Sequence, residues 1–330
     1  MTVKGQTALT LADWAKRTDP NGKVDKIVEL LAETNEVLDD MMFVEGNLPT
    51  GHRTTVRTGL PEATWRMLNY GVQSSKSTTA QITDSCGMLE AYAEVDKDLA
   101  DLNGNTSEFR VSEDRAFLEA MNQNQAETVF YGDASKDPKR FTGLSARYNS
   151  LTAGSGANII DAGGTGSNLT SIWLVVWGEN TVHGIFPKGK KAGLSHQDLG
   201  EETLLDGNGG KYQGYRTHYK WDNGLTVRDW RYAVRIANID LSDLQKDPEK
   251  GGVDLVDLMI QALEVVPNLK MGRPAFYVNK QIRSWLRRQI RLNKNVNLSL
   301  ENVEGRKVVM FDEVPVRRVD ALLNTESQVV

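Results

Sequence analysis

The sequence predicts an α+β fold, on three observations. Helical and extended patterns are mixed along the chain without the regular strand and helix alternation of a doubly wound sheet. Residues 47–84, NLPTGHRTTVRTGLPEATWRMLNYGVQSSKSTTAQITD, carry strand-like alternation at both ends and almost no apolar run able to build a core. The final third then changes character, to two amphipathic helices among short strands.

Each element follows from local pattern. In residues 22–42, Val24, Ile27, Val28, Leu31, Val37, Leu38 and Met41 recur mostly at three and four, which predicts an amphipathic helix with an acidic opposite face. His52–Arg57 and Thr78–Val95 are rich in Thr and β-branched residues and read as two extended segments, separated by turn-forming TGLP and NYGVQSS. An isolated two-stranded ribbon is marginal in water, so this one requires packing on the rest of the chain or on another copy. Residues 107–130 predict a long helix with Ser112 as a cap and Phe117, Leu118, Met121, Ala126 and Val129 on one stripe.

The Gly-rich stretch 153–168 precedes an apolar strand instead of following one. GGTGSN is therefore read as a loop and not as a phosphate cradle. SIWLVVWGENTVHGIFP reads as a hairpin turning at Glu179 and Asn180, and KYQGYRTHYKWDNGLTVRDWRYAVRIANI as two strands around the turn WDNG. GVDLVDLMIQALEVV is a helix, and PAFYVNK is a buried strand running into Asn279 as the cap of the helix KQIRSWLRRQIRL. KVVMFDEVPVRRVDALL closes the pattern as strand, turn and strand.

Composition narrows the function. The chain of 330 residues is 39% hydrophobic and 25% charged, which permits a sizeable core, and about 150 residues per domain suggests two domains. With 39 basic against 44 acidic side chains the net charge is -5, which argues against a protein devoted to gripping phosphate backbones. The single cysteine, Cys86, forms no internal disulfide or four-ligand zinc site and fits a reducing compartment, so the Asn-x-Ser/Thr matches at Asn105, Asn168 and Asn297 are read as chance. No stretch has the pattern of a signal peptide or the roughly 20 apolar residues of a membrane span.

Catalysis requires convergent groups, and none is recognisable. His52, His183, His196 and His218 lack metal-like spacing; His183 and His218 lie in strand patterns, and Ser195-His196 near Asp198 reads as a loop cluster. Glu201, Glu202 and Asp206 read as a solvated acidic loop without the ligand pattern of a calcium loop. No catalytic, cofactor or metal residue is assigned. Arg283, Arg287, Arg288, Arg291 and Lys294 raise a nucleic-acid alternative, with an α+β hydrolase using His183, His196 or His218 as another. The acidic set Glu29, Glu33, Glu36, Asp39 and Asp40 on a neighbouring copy is the preferred partner of the basic helix.

Taken in order, LPTGHRTTVRTGLPEATWRMLNYG, LEAYAEVDKDLADL, FTGLSARYN, THYKWDNGLTVRDWRYAVRIANID, AFYVNKQIRSWLRRQI and VPVRRVDALL resemble major capsid proteins of tailed bacteriophages with the Hong Kong 97-type fold, in particular those of short-tailed phages. The resemblance covers most of the chain and rests on joint order, since no segment is a catalytic signature. It implies an N-terminal arm (1–46), an extended β-hairpin loop (47–88), a peripheral domain with a long spine helix (89–240) and an axial domain with returning C-terminal strands (241–330). In the family's usual order, strands like GLTVRDWRYAVRI follow the axial helices. Here they precede VDLVDLMIQALEVV, so either the connectivity is permuted or the strands match differently.

The implied function is structural and not enzymatic: a subunit assembling into hexamers and pentamers of an icosahedral shell that encloses double-stranded DNA without sequence-specific binding. Such a protein is found in the virion after assembly in the host cytoplasm, with no membrane. The implied partners are other copies, a portal, a cement protein whose presence the sequence does not fix, and a separate scaffolding protein, because no long coiled coil stands at the N-terminus. Some relatives crosslink Lys to Asn between subunits; no motif here carries that over.

Overall fold

The computed structural model describes residues 33–206, 208–245, 252–291, 298–303 and 306–330. A one-turn helix α1 (Val37–Asp40) leads into strand β1 (Phe43–Glu45), the ribbon strands β2 (Gly51–Gly59) and β3 (Thr78–Asp96), and a short helix α2 (Lys97–Ala100). The 26-residue helix α3 (Thr106–Tyr131) and the single turn α4 (Leu144–Arg147) follow. Six strands come next: β4 (Ile159–Asp161), β5 (Leu169–Trp177), β6 (Val182–Phe186), β7 (Ser195–Leu205), β8 (Lys211–Val227) and β9 (Ala233–Asp240). The last part holds α5 (Leu255–Val265), β10 (Arg273–Val278), α6 (Lys280–Arg291), β11 (Leu298–Val303), β12 (Arg306–Phe311) and β13 (Val314–Arg318).

The chain forms two compact units. The smaller contains Met88–Ala126 and Gly193–Asp222 with the described residues up to Asn35; the larger contains Glu36–Gly87, Glu127–Ala192 and Asn223–Val330. In the smaller unit β7 pairs antiparallel with β8, Ser195 opposite Lys220 through Leu205 opposite Lys211. Among the described residues its apolar contacts include two clusters. Val95, Leu99, Ala100 and Phe109 make one, and Ala93, Met121 and Tyr219 with Phe117, Leu118 and Trp221 make the other.

The larger unit is organised on β5, whose nine residues are all buried. This strand is antiparallel to β9 on one side and β10 on the other, and β10 continues the sheet through β13, β12 and β11. A strand covered on both faces reads as a continuous apolar run, which SIWLVVW is. One face presents Ile172, Leu174 and Val176 to Leu255, Met259 and Ala262 of α5 and to Ile282 and Leu286 of α6. The other presents Trp173 to Phe130 and Tyr148, with ring centroids at 6.2 and 5.9 Å.

Both helices start at a capping side chain, of which the sequence predicts Asn279 and not Asp254. Asp254 accepts from the backbone N–H of Val256 and Asp257, and Asn279 Oδ1 accepts from Ile282 N at 2.8 Å. Helix α3 stops at Gly132, where a Cβ would stand 2.6 Å from the Thr128 carbonyl oxygen.

Several expectations are corrected. Within the described part of 22–42 only Val37–Asp40 is helical, and Met41 is already extended; residues 22–32 lie outside the described residues. Ser112 is interior to α3, which begins one turn and a half earlier at Thr106. No antiparallel hairpin turns at Glu179–Asn180. β9 and β10 flank β5 over most of its length, so after a bend held by Thr181 Oγ1 donating to Val176 O at 2.7 Å the chain resumes as β6, which meets β5 at the parallel bridge Trp177–Val182 and pairs with β8 and β1. WDNG is no turn either, but the interior of the 17-residue strand β8. Its glycine answers a close approach: a Cβ at Gly224 would lie 2.7 Å from the Ser85 carbonyl oxygen. Residues 195–205, read as a loop, are strand β7, and only Asp206 lies in the turn that follows.

Candidate assembly surface

Strands β2 and β3 pair antiparallel from Gly51 opposite Ser85 to Arg57 opposite Thr79, with an irregularity before Gly59. From Arg57 to Thr83 every residue is exposed except the half-buried Gly59 and Ser77. The segment between the strands is held by few internal bonds: Tyr70 N to Met67 O at 3.3 Å, and Ser75 Oγ to Glu62 O at 2.9 Å. Asn69 takes the left-handed conformation there (φ 66°), which Asn tolerates better than most residues. Six large apolar side chains stand in it: Leu60, Trp65, Met67, Leu68, Tyr70 and Val72. Trp65 is 104% exposed and Leu68 85%, so neither has found packing within its own chain. An apolar patch of this kind on a folded protein marks a contact surface.

The ribbon's base is fixed by a buried polar network. Asp84 lies on β3, 6% exposed; its Oδ1 accepts from Arg147 at 2.8 Å and its Oδ2 accepts from Thr226 Oγ1. Arg147 also donates to the carbonyls of Leu225 at 3.2 Å and Thr142 at 3.3 Å. Opposite Asp84 in the ladder stands His52, whose ring meets His183 edge to face at 6.0 Å. Burial pushes the His183 pKa down to about 4, helped by the nearby Arg228 guanidinium, and burial lowers that of His52 as well. Both rings are therefore neutral at pH 7, packed into the ribbon's foot.

The other histidines are dispersed. His196 lies on β7 with its ring 5.2 Å from Tyr219, and His218 on β8 stacks on Tyr92 at 4.4 Å with Nε2 3.3 Å from a Glu90 oxygen. Of the acidic trio, Glu201 pairs with Lys97 and Glu202 with Arg216, each at 2.8 Å, while Asp206 accepts from the backbone of Asn208 and Gly210 to close its own turn. Among the described residues no group of three or more His, Cys, Asp or Glu side chains is placed to hold a metal ion. No helix there is long and apolar enough to cross a membrane.

The expected pairing of acidic and basic sets between copies is partly made within one chain. Glu36 Oε1 lies 3.3 Å from Arg283, and Asp40 Oδ1 lies 3.1 Å from Arg317. Asp40 also accepts from Tyr277 Oη at 3.0 Å, and burial raises its pKa. Glu29 and Lys294 lie outside the described residues. Sequence reasoning also missed a clasp on the C-terminal segment. Buried Arg235 and Glu326 pair at 2.8 Å, and Glu326 accepts in addition from Tyr131 and Ser171.

A family model, Major capsid protein GP7, matches residues 19–330. The chain belongs to the major capsid protein GP7 family. Among solved structures, that of bacteriophage Epsilon15 matches with 40% identity and a TM-score of 0.80, covering 100% of this chain and 99% of that one. The bacteriophage JBD30 capsid matches at 10% identity and TM-score 0.48, over 90% of this chain and 95% of that one. The capsid of a native GTA particle matches at 12% and 0.46, over 67% and 95%. No curated protein sequence matches the chain. This capsid protein is thus a structural component of a phage virion, with an α+β fold of the Hong Kong 97 type.

Proposed function

We propose that residues 47–88 are the extended loop by which each capsid protein holds the next, and that the Trp65 region packs on an adjacent copy in hexamers and pentamers. The single observation that carries this is the run of exposed apolar side chains, Leu60 to Val72, on a ribbon with both faces in solvent. Burying one such side chain contributes roughly 1.5–3 kcal/mol. Three or four of them per copy, repeated around a ring, supply cooperative closure from individually modest heterologous contacts.

In the same reading, residues 1–46 are the arm, α3 is the spine of the peripheral domain, and the β5-centred sheet with α5 and α6, one sheet over one core, belongs to the axial domain. The shell encloses double-stranded DNA, assembles in the host cytoplasm with a separate scaffolding protein and a portal, and performs no catalysis. Deleting residues 60–76 and measuring sedimentation tests the loop's role. The expected result is a folded, unassembled chain, and assembly of the deletion variant into full-size shells would refute it.

A further inference from the structure

Helix α6 carries a feature that shell closure does not require. Ile282 and Leu286 turn inward, and Lys280, Arg283, Ser284, Arg287 and Arg288 recur at three and four on the remaining surface. With Arg318 they line a groove of about 330 Å³ that contains five cations and no carboxylate. Arg283 is matched by Glu36, and Arg318 by Asp320 at 2.6 Å. Lys280, Arg287 and Arg288 are exposed and have no carboxylate partner among the described residues. In a chain of net charge -5, such a face is not average composition.

We infer that this face is a sequence-independent contact for the phosphate backbone of double-stranded nucleic acid, and hence part of the wall that meets the packaged genome. Three physical points favour it. Lys280 to Arg288 spans roughly 12 Å of helix, the length over which one DNA strand presents three or four phosphates. Arg forks suit phosphate oxygens bidentately. The groove's own lining is Lys, Arg and Ser, with Leu241, Leu244 and Trp285 confined to an adjoining pocket, so the surface offered between Arg283, Arg287 and Arg318 is cationic and polar throughout. Three unpaired cations per copy also make each contact weak and reversible, which a container requires of its wall. The shell reading enters only in naming the polyanion.

The test uses the full-length chain, unassembled at low concentration, and a labelled double-stranded DNA of arbitrary sequence. With about three phosphates neutralised, affinity should fall roughly 40-fold between 50 and 200 mM salt. The triple variant Lys280→Gln, Arg287→Gln, Arg288→Gln should lose at least tenfold affinity at 50 mM salt and most of that salt dependence. Its thermal melt and its assembly should stay unchanged, and a control removing the same charge, Lys188→Gln, Lys190→Gln, Lys191→Gln, should bind like the parent. Parent-like binding by the triple variant, or an equal loss in the control, overturns the inference. So does polyglutamate displacing DNA at equal charge concentration, which would assign the face to an acidic protein. Loss of assembly in the loop-deletion variant is read separately, so the two proposals fail independently.

Discussion

Arg235 and Glu326 are each only 4% exposed at the side chain and face each other at 2.8 Å, with Ser171 and Tyr131 completing the carboxylate's bonds. Removing one partner of such a pair strands a buried charge and typically costs about 3–5 kcal/mol. Arg235→Met should therefore lower the denaturant midpoint well beyond a surface substitution, and the double variant Arg235→Met, Glu326→Leu should recover part of the loss; an unchanged midpoint in the single variant would contradict this. His183 makes a pH prediction. Its folded pKa, about 4, lies below the ordinary histidine value, so between those two values the unfolded chain binds a proton that the folded chain refuses. Stability from this residue is complete above about pH 6.5 and is lost as pH falls toward 4, by at most about 3 kcal/mol. Replacement by Asn should flatten the melting temperature over that window, measured at fixed salt on the unassembled chain.

The elements show how local chemistry and long-range contact divide the work. Asn279 both caps α6 and donates to Thr170 Oγ1 at 2.9 Å and Asn324 Oδ1 at 2.6 Å, tying the helix start to β5 and to the C-terminal segment. Asn279→Ala should cost more than the ~1 kcal/mol of a lost cap alone, because buried partners lose their bonds too; chemical denaturation measures it. The cap and both late helices are legible in the sequence because a helix's buried stripe and its first turn are local patterns. β5 is legible as an apolar strand but not as the middle of a sheet, since which strands flank it depends on residues 60 and 100 positions away. The same reason defeats the hairpin at Glu179–Asn180 and the turn at WDNG. Gly224 is demanded by the backbone of β3, which lies far off in sequence.

At the scale of the whole molecule, the ribbon's exposed apolar side chains make stability a property of the assembly. Association that buries Trp65, Met67, Leu68 and Tyr70 stabilises the folded state by mass action. The apparent melting temperature should rise with protein concentration for the parent chain and stay constant for Trp65→Ser, Leu68→Ser, whose low-concentration melt matches the parent's; scanning calorimetry over a hundredfold concentration range decides it. An association heat-capacity change that is not negative would exclude apolar burial as the driving term.

Legible in the residues alone are the mixed fold, the long helix α3, the existence of a ribbon short of internal packing and the family whose shells such a chain builds. These are written in periodicity, caps and the order of segments, all of which survive without knowledge of contacts. It took the folded chain to bring His52, His183, Asp84, Arg147 and Thr226 together at the ribbon's foot, to lock Glu326 onto Arg235, and to gather the cations of α6 with Arg318 in one groove. Those groupings join residues many tens to more than a hundred positions apart. Buried charge and hydrogen-bond complementarity act through space, and a linear pattern carries no record of them.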